Sequence, residues 1–191
     1  MKTTDWMFES HLGLNRSWFH YYVQYRKVVR DLVDSIQMGV NPTDTIALPL
    51  LFLIRHCLEL GLKANILEFE KVNPEIQKIK FSGRAAHSLE VLHAKFIEHL
   101  KAYQNKYSLS SEIESQMNSY LKKLVLFKTN LHELDNGSFN FRYPVDTTGK
   151  FNFKRTEKKN IKEIVKAFNE VDPFLVSTVD VLLLTNFCGA E

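Results

Sequence analysis

The sequence predicts an all-α fold: an antiparallel up-and-down bundle of four to five long helices, with a small β-hairpin or extended arm before the last helix. Three observations predict it. Apolar residues recur at helical spacing through most of the chain. Only 7 Gly and 5 Pro occur in 191 residues, too few for a many-turned β sandwich. The period changes to two late in the chain, where Phe139, Phe141 and Tyr143, then Phe151 and Phe153, alternate with polar residues.

The first long helix is expected to start near Asn15, which follows Gly13 as an N-cap. A short helix from Asp5 to His11 is expected to precede it. Trp18, Tyr21, Tyr22, Tyr25, Val28, Val29, Leu32, Val33 and Ile36 supply its apolar positions, and Gly39 with Asn41-Pro42 ends it. The second helix begins near Thr43 or Asp44. Pro49 falls in its first turn or two, where a missing N–H is least damaging. It runs to about Val72, because Asn73 precedes Pro74 and is steered out of the helical region. Residues 75–86 read as a loop carrying Ser82-Gly83, and His87 opens a third helix with Leu89, Val91, Leu92, Phe96, Ile97 and Leu100 on its apolar face. A fourth starts at Ser110 or Ser111, with Ser111 and Glu114 spaced as a capping box, and stops at Asp135-Asn136-Gly137. Thr147-Thr148-Gly149-Lys150 marks a turn between the two alternating stretches. Asn160 caps the last helix, which Asp172-Pro173 is expected to kink or split.

Composition narrows the function classes. Hydrophobic content of 45% and charged content of 25% are those of an ordinary globular chain, and residues 1–191 read as a single domain. The 2 cysteines, Cys57 and Cys188, cannot form a disulfide framework, which fits a reducing cytoplasm. The N-terminus lacks the apolar core of a signal peptide. The greasy stretch Ile46 to Ile54 is interrupted by Pro49 and ends at Arg55-His56, well short of a membrane span, so no membrane partner is expected. A net charge of +3 permits nucleic-acid contact without demanding it.

The most pointed segment is Leu50 to Ile66, an apolar helix with Arg55, Glu59 and Lys63 set into it at four-residue steps. Residues four apart share a face, and Glu preceding Lys is the favourable order for an ion pair. Charges on such a helix are costly unless paired or facing a site. The line is either a structural salt-bridge ladder or a ligand site. His56 lies about a hundred degrees round the helix from Arg55, at the edge of that line or in the core. His87 stands at a helix start beside Ser88, as a cap or as a reactive group.

The seven histidines are scattered, with no His-Glu-x-x-His pattern and no paired CxxC, so no metal is expected. No glycine-rich phosphate loop and no nucleophile elbow occur, so no cofactor is expected. A basic run follows the turn: Lys150, Lys154, Arg155, Lys158, Lys159, Lys162 and Lys166 against Glu157 and Glu163, with Phe151 and Phe153 interleaved. Aromatic and basic interleaving suits single-stranded nucleic acid, and Lys154, Arg155, Lys158 and Lys159 are the RNA-binding candidates. The other reading is a solvated face with the phenylalanines packed on the bundle.

Three ordered segments together resemble the HEPN family of helical domains. Residues 55–64, RHCLELGLKA, are similar to its apolar helix with Glu-x-x-x-Lys-Ala. Residues 86–92, AHSLEVL, resemble its His-Asp-Leu-x-x-Leu helix start, with Ser88 in place of Asp. Residues 141–146, FRYPVD, resemble its Arg-Tyr-Pro-Asp segment with one residue inserted before Asp146. The resemblance implies a helical bundle, usually a homodimer, that binds RNA, a nucleotide or a partner protein. It also implies a toxin–antitoxin or defence setting, with a nucleotidyltransferase-type partner. The family's RNA-cutting members carry Arg, four to six residues, then His. Here Arg16 and His20 have three residues between them, Arg84 and His87 two, and Arg55 and His56 none, so standard ribonuclease activity is not expected. The resemblance further suggests that Glu59, Lys63, His87 and Arg142 meet in one cluster with Arg55 and Tyr143, where either Arg142 pairs with Glu59 or His87 or Arg55 faces a phosphate-bearing ligand. If the chain is instead a metal-independent ribonuclease, His87 or His56 is the acid or base and Arg55 or Arg142 stabilises the phosphorane. A third expectation is a purely structural dimer subunit.

Overall fold

A computed structural model describes residues 9–13, 16–107, 109–135 and 137–188, the side chains of residues 84 and 179–188 excepted. The expected helix over 5–11 falls largely outside the described residues, and so does Asn15. Among the described residues the regular elements are helical and no strand forms. They are α1 (Trp18–Gln37), α2 (Thr43–Val72), a 3-10 turn (Arg84–His87), α3 (Leu89–Lys106), α4 (Ser111–Leu134) and α5 (Ile161–Cys188).

Local chemistry sets the ends. Ser17 caps α1, its side chain accepting from His20 N–H at 3.1 Å. Ser88, not His87, caps α3, and His87 closes the preceding 3-10 turn. Ser110 caps α4 by accepting from Ile113 N–H, one residue ahead of the expected capping box. α2 stops where predicted: Asn73 leaves the helical region and its N–H still closes on the Phe69 carbonyl at 2.8 Å. α5 passes through Pro173 without splitting.

α2 is the hub. α1, α3 and α5 all pack on it, and α4 packs mainly on α5. A helix covered on three sides must be apolar nearly all round. Accordingly Leu50, Ile54, Leu58, Leu62, Ile66 and Phe69 are fully buried. By length and composition α2 is also apolar enough to cross a membrane; here 56% of its most apolar stretch is buried inside the molecule. Gly61 lets α1 and α5 close on it, because a Cβ there would meet Leu175 Cδ1 at 3.0 Å and Tyr22 Cε2 at 3.3 Å.

A buried carboxylate ties α1 to α5. Asp172 accepts from Tyr22 Oη (2.6 Å), Arg26 Nε (2.6 Å) and Arg30 Nη2 (3.1 Å). Burial, and then the Asp172 charge, push the Tyr22 phenol far above its usual range.

The segment between α4 and α5 forms an arm rather than a hairpin ladder. Its expected strand pairing reduces to one antiparallel bridge, Val145 to Phe151. Asp146 builds the turn by accepting from Thr148 and Lys150 N–H groups at 2.8 and 3.0 Å. Phe141 and Phe153 stack at 6.1 Å and pack on Leu51 and Leu134, in a small second core that fastens the arm to α2 and α4.

Candidate functional site: a buried charge network beneath His87

Arg55, Glu59 and Lys63 rise on successive turns of α2, and all three are 1–2% exposed. Lys63 Nζ donates to Glu59 Oε1 at 2.7 Å, and Arg55 Nη1 reaches Oε2 at 3.4 Å. Lys63 also lies over the rings of Trp18 (4.9 Å) and Phe81 (5.6 Å), which gives the buried ammonium cation–π contacts as well as its ion pair. Burial pushes the Glu59 carboxyl up, but the hydrogen bonds and charges of Lys63 and His87 outweigh it and hold it below the usual carboxylate range. Burial lowers the Arg55 pKa, opposed by the charges of Asp135 and Glu59.

His87 completes the line. Its Nδ1 lies 2.8 Å from Glu59 Oε1, while its side chain remains 60% exposed. An ionised carboxylate only accepts, so Nδ1 carries the proton and Nε2 is left as the acceptor of the neutral ring. Arg55 Nη2 donates to the main-chain oxygen of His87 at 3.0 Å. The exposed imidazole is thereby held twice from below: through its ring by Glu59 and through its backbone by Arg55.

Arg142 is placed differently from expectation. Its Nε donates to the Ser138 carbonyl at 2.6 Å, not to Glu59, and its guanidinium sits over the rings of Phe52 (5.6 Å) and Tyr143 (5.4 Å). The turn at 138–142 holds the arginine on its own arm, on the Phe52 side of the line. Tyr143 is 46% exposed and leans on Phe139 at 4.3 Å.

Glu59 is met by Lys63, Arg55 and His87 instead, and the group that joins the line from the start of the arm is Asp135, which sequence alone marks only as a helix stop. Arg55 Nε donates to the Asp135 carbonyl at 3.1 Å, and the Asp135 carboxylate lies 3.8 Å away. Asp135 also accepts from the N–H groups of Phe139 and Asn140, so it starts the arm and anchors Arg55 together. One signal was present: an acidic residue at a helix C-terminus opposes the helix dipole and needs a cation nearby.

The remaining candidates divide. His56 is half-buried, edge-on to Tyr25 at 4.6 Å and stacked on Phe52 at 5.8 Å; burial lowers its pKa. Arg55 is sealed from solvent and cannot touch a substrate. Lys154, Arg155, Lys158 and Lys159 are all exposed, on the segment leading into α5. Among the described residues no group of three His, Cys, Asp or Glu side chains is placed to hold a metal ion. No family model, no curated protein and no solved structure matches this chain.

Proposed function

We propose that the chain is a HEPN-like helical module that binds RNA or a nucleotide, with the exposed side chains of His87 and Arg142 as its contacts. The observation that carries this reading is the exposed His87 ring anchored on a carboxylate that is 1% exposed. Stability does not require an exposed imidazole to be fixed by a buried acid and clamped through its carbonyl. A contact site does, because a preorganised group loses less freedom when a ligand arrives. His87 and Arg142 are suited to phosphate oxygens, and Lys154, Arg155, Lys158 and Lys159 are further exposed cations for phosphates to meet.

The reading includes an antiparallel up-and-down helix order, supported by the short link 38–42 between the packed helices α1 and α2. It also includes the partners the resemblance implies: a second copy of the chain, or a nucleotidyltransferase-type protein in a toxin–antitoxin or defence pair in the cytoplasm. Labelled RNA should bind with an affinity that falls steeply with salt, and His87→Ala should weaken it. Absent or salt-independent binding rejects the reading.

A second reading, a metal-independent ribonuclease, is favoured by the Glu59–His87 pair, which leaves Nε2 as a proton acceptor on an exposed ring. Arg142 would then take the phosphorane charge, since Arg55 is sealed. Growth arrest and RNA loss on expression, both abolished by His87→Ala, would support it. Harmless expression with intact RNA at high protein concentration would reject it.

A further inference from the structure

Phe151 is the anomaly of the arm. It is 74% exposed, while Phe153, two residues on, is packed against Phe141. Fully burying such a ring is worth about 1.5–3 kcal/mol, and here that is forgone. The ring does not sit on a loose segment. The Val145–Phe151 bridge, the Asn152 N–H to the Pro144 carbonyl (3.0 Å) and Asn152 Nδ2 to the Tyr143 carbonyl (2.7 Å) brace the chain on both sides of it.

Cations surround it in sequence. Lys150, Lys154, Arg155, Lys158 and Lys159 are exposed; of the nearby carboxylates, Asp146 accepts from Thr148 and the Lys150 N–H, and Glu157 is met by the Lys154 N–H and the Lys159 ammonium. An exposed aromatic face on a braced backbone, flanked in sequence by exposed cations, complements a base flanked by phosphates. An anionic lipid surface fits less well. The arm's tip is polar, and hydrogen bonds from Thr148 and Lys150 hold the Asp146 carboxyl below its usual range, so insertion would bury an ionised group.

We propose that this arm is a single-strand subsite: Phe151 stacks on an unpaired base while Lys150, Lys154 and Arg155 meet the adjoining phosphates. The proposal rests on the RNA-binding reading and names the form of RNA it takes. Stacking needs an exposed base face, which a duplex does not offer, so the subsite selects single strands.

The test is fluorescence anisotropy of the full chain with a labelled RNA strand of about 12 nucleotides, within the span a small domain covers, and with its duplex. Phe151→Ala should weaken single-strand binding roughly tenfold or more and leave duplex binding unchanged. Phe151→Trp should keep the affinity, and its added emission should be quenched by single strands. Circular dichroism checks that both variants stay folded, as replacement of an exposed side chain should allow. Salt-dependent RNA binding that Phe151→Ala does not alter overturns the subsite and leaves the RNA reading standing. No RNA binding by the unaltered chain overturns both. Binding to phosphatidylserine vesicles that Phe151→Ala abolishes, with RNA affinity unmoved, overturns the subsite in favour of a membrane contact.

Discussion

Glu59 is the residue on which the site depends, because it neutralises two buried cations and orients one exposed ring. Removing one member of a buried ion pair leaves the other charge uncompensated, which costs about 3–5 kcal/mol. Glu59→Ala should therefore lower the unfolding free energy by that amount, read as a lower urea midpoint with the slope of the transition unchanged. Replacing Glu59 and Lys63 together by methionine should cost less than Glu59→Ala, since no lysine is then stranded. His87→Ala should behave oppositely. Its ring is exposed and Lys63 still satisfies Glu59, so stability should change by less than about 1 kcal/mol while RNA binding falls. Equal losses of stability in the two single variants would show that His87 is merely structural. At this scale the polar line is legible in the four-residue steps of the sequence itself. Which groups satisfy it is not legible there, because Asp135 lies 80 residues from Arg55 along the chain.

At the scale of elements, α2 carries the argument. Its bounds were readable because Pro42 and Asn73-Pro74 are local stop signals that act through backbone sterics. The caps of α3 and α4 fell within a residue or two of expectation, as helix ends often do. The close approach at Gly61 was not readable, since a glycine inside a helical pattern does not announce which neighbour needs the space. Gly61→Ala tests it. Alanine favours the helix by about 1 kcal/mol, but overpacking costs about 1–3 kcal/mol. The clash is with Leu175 and with Tyr22, which Asp172 holds in place, so packing should win and the variant should lose about 1 kcal/mol in urea unfolding. A gain in stability would mean that Leu175 swings aside. The arm failed as a hairpin because its pairing stops at one bridge and bends at 152 and 153 interrupt the alternation.

For the whole molecule, stability should depend on pH through its buried imidazoles. His99 is 0% exposed, and burial lowers the pKa of His56, His93 and His99 below the usual histidine value. The unfolded chain takes up these protons near pH 6.5, and the folded chain only at lower pH. Unfolding therefore binds protons as the solution is acidified. Stability should be full above about pH 6.5 and fall as pH drops from there through the lower folded values. Thermal unfolding between pH 7 and 5 checks the sign, and His99→Gln should shrink the drop. A midpoint that rises on acidification would contradict these assignments.

The sequence by itself determined the helical class, the span of α2 and the charged line within it. Those features are written in local periodicity and backbone sterics, which need no knowledge of distant residues. The tertiary structure alone decided what the line meets. It placed Asp135 against Arg55, kept Arg142 on its own arm, and raised His87 to the surface over Glu59. It also turned Phe153 inward and left Phe151 outside. Residues two apart would share a face on a continuous strand; whether the strand continues depends on what the arm packs against, and that is set by α2 and α4.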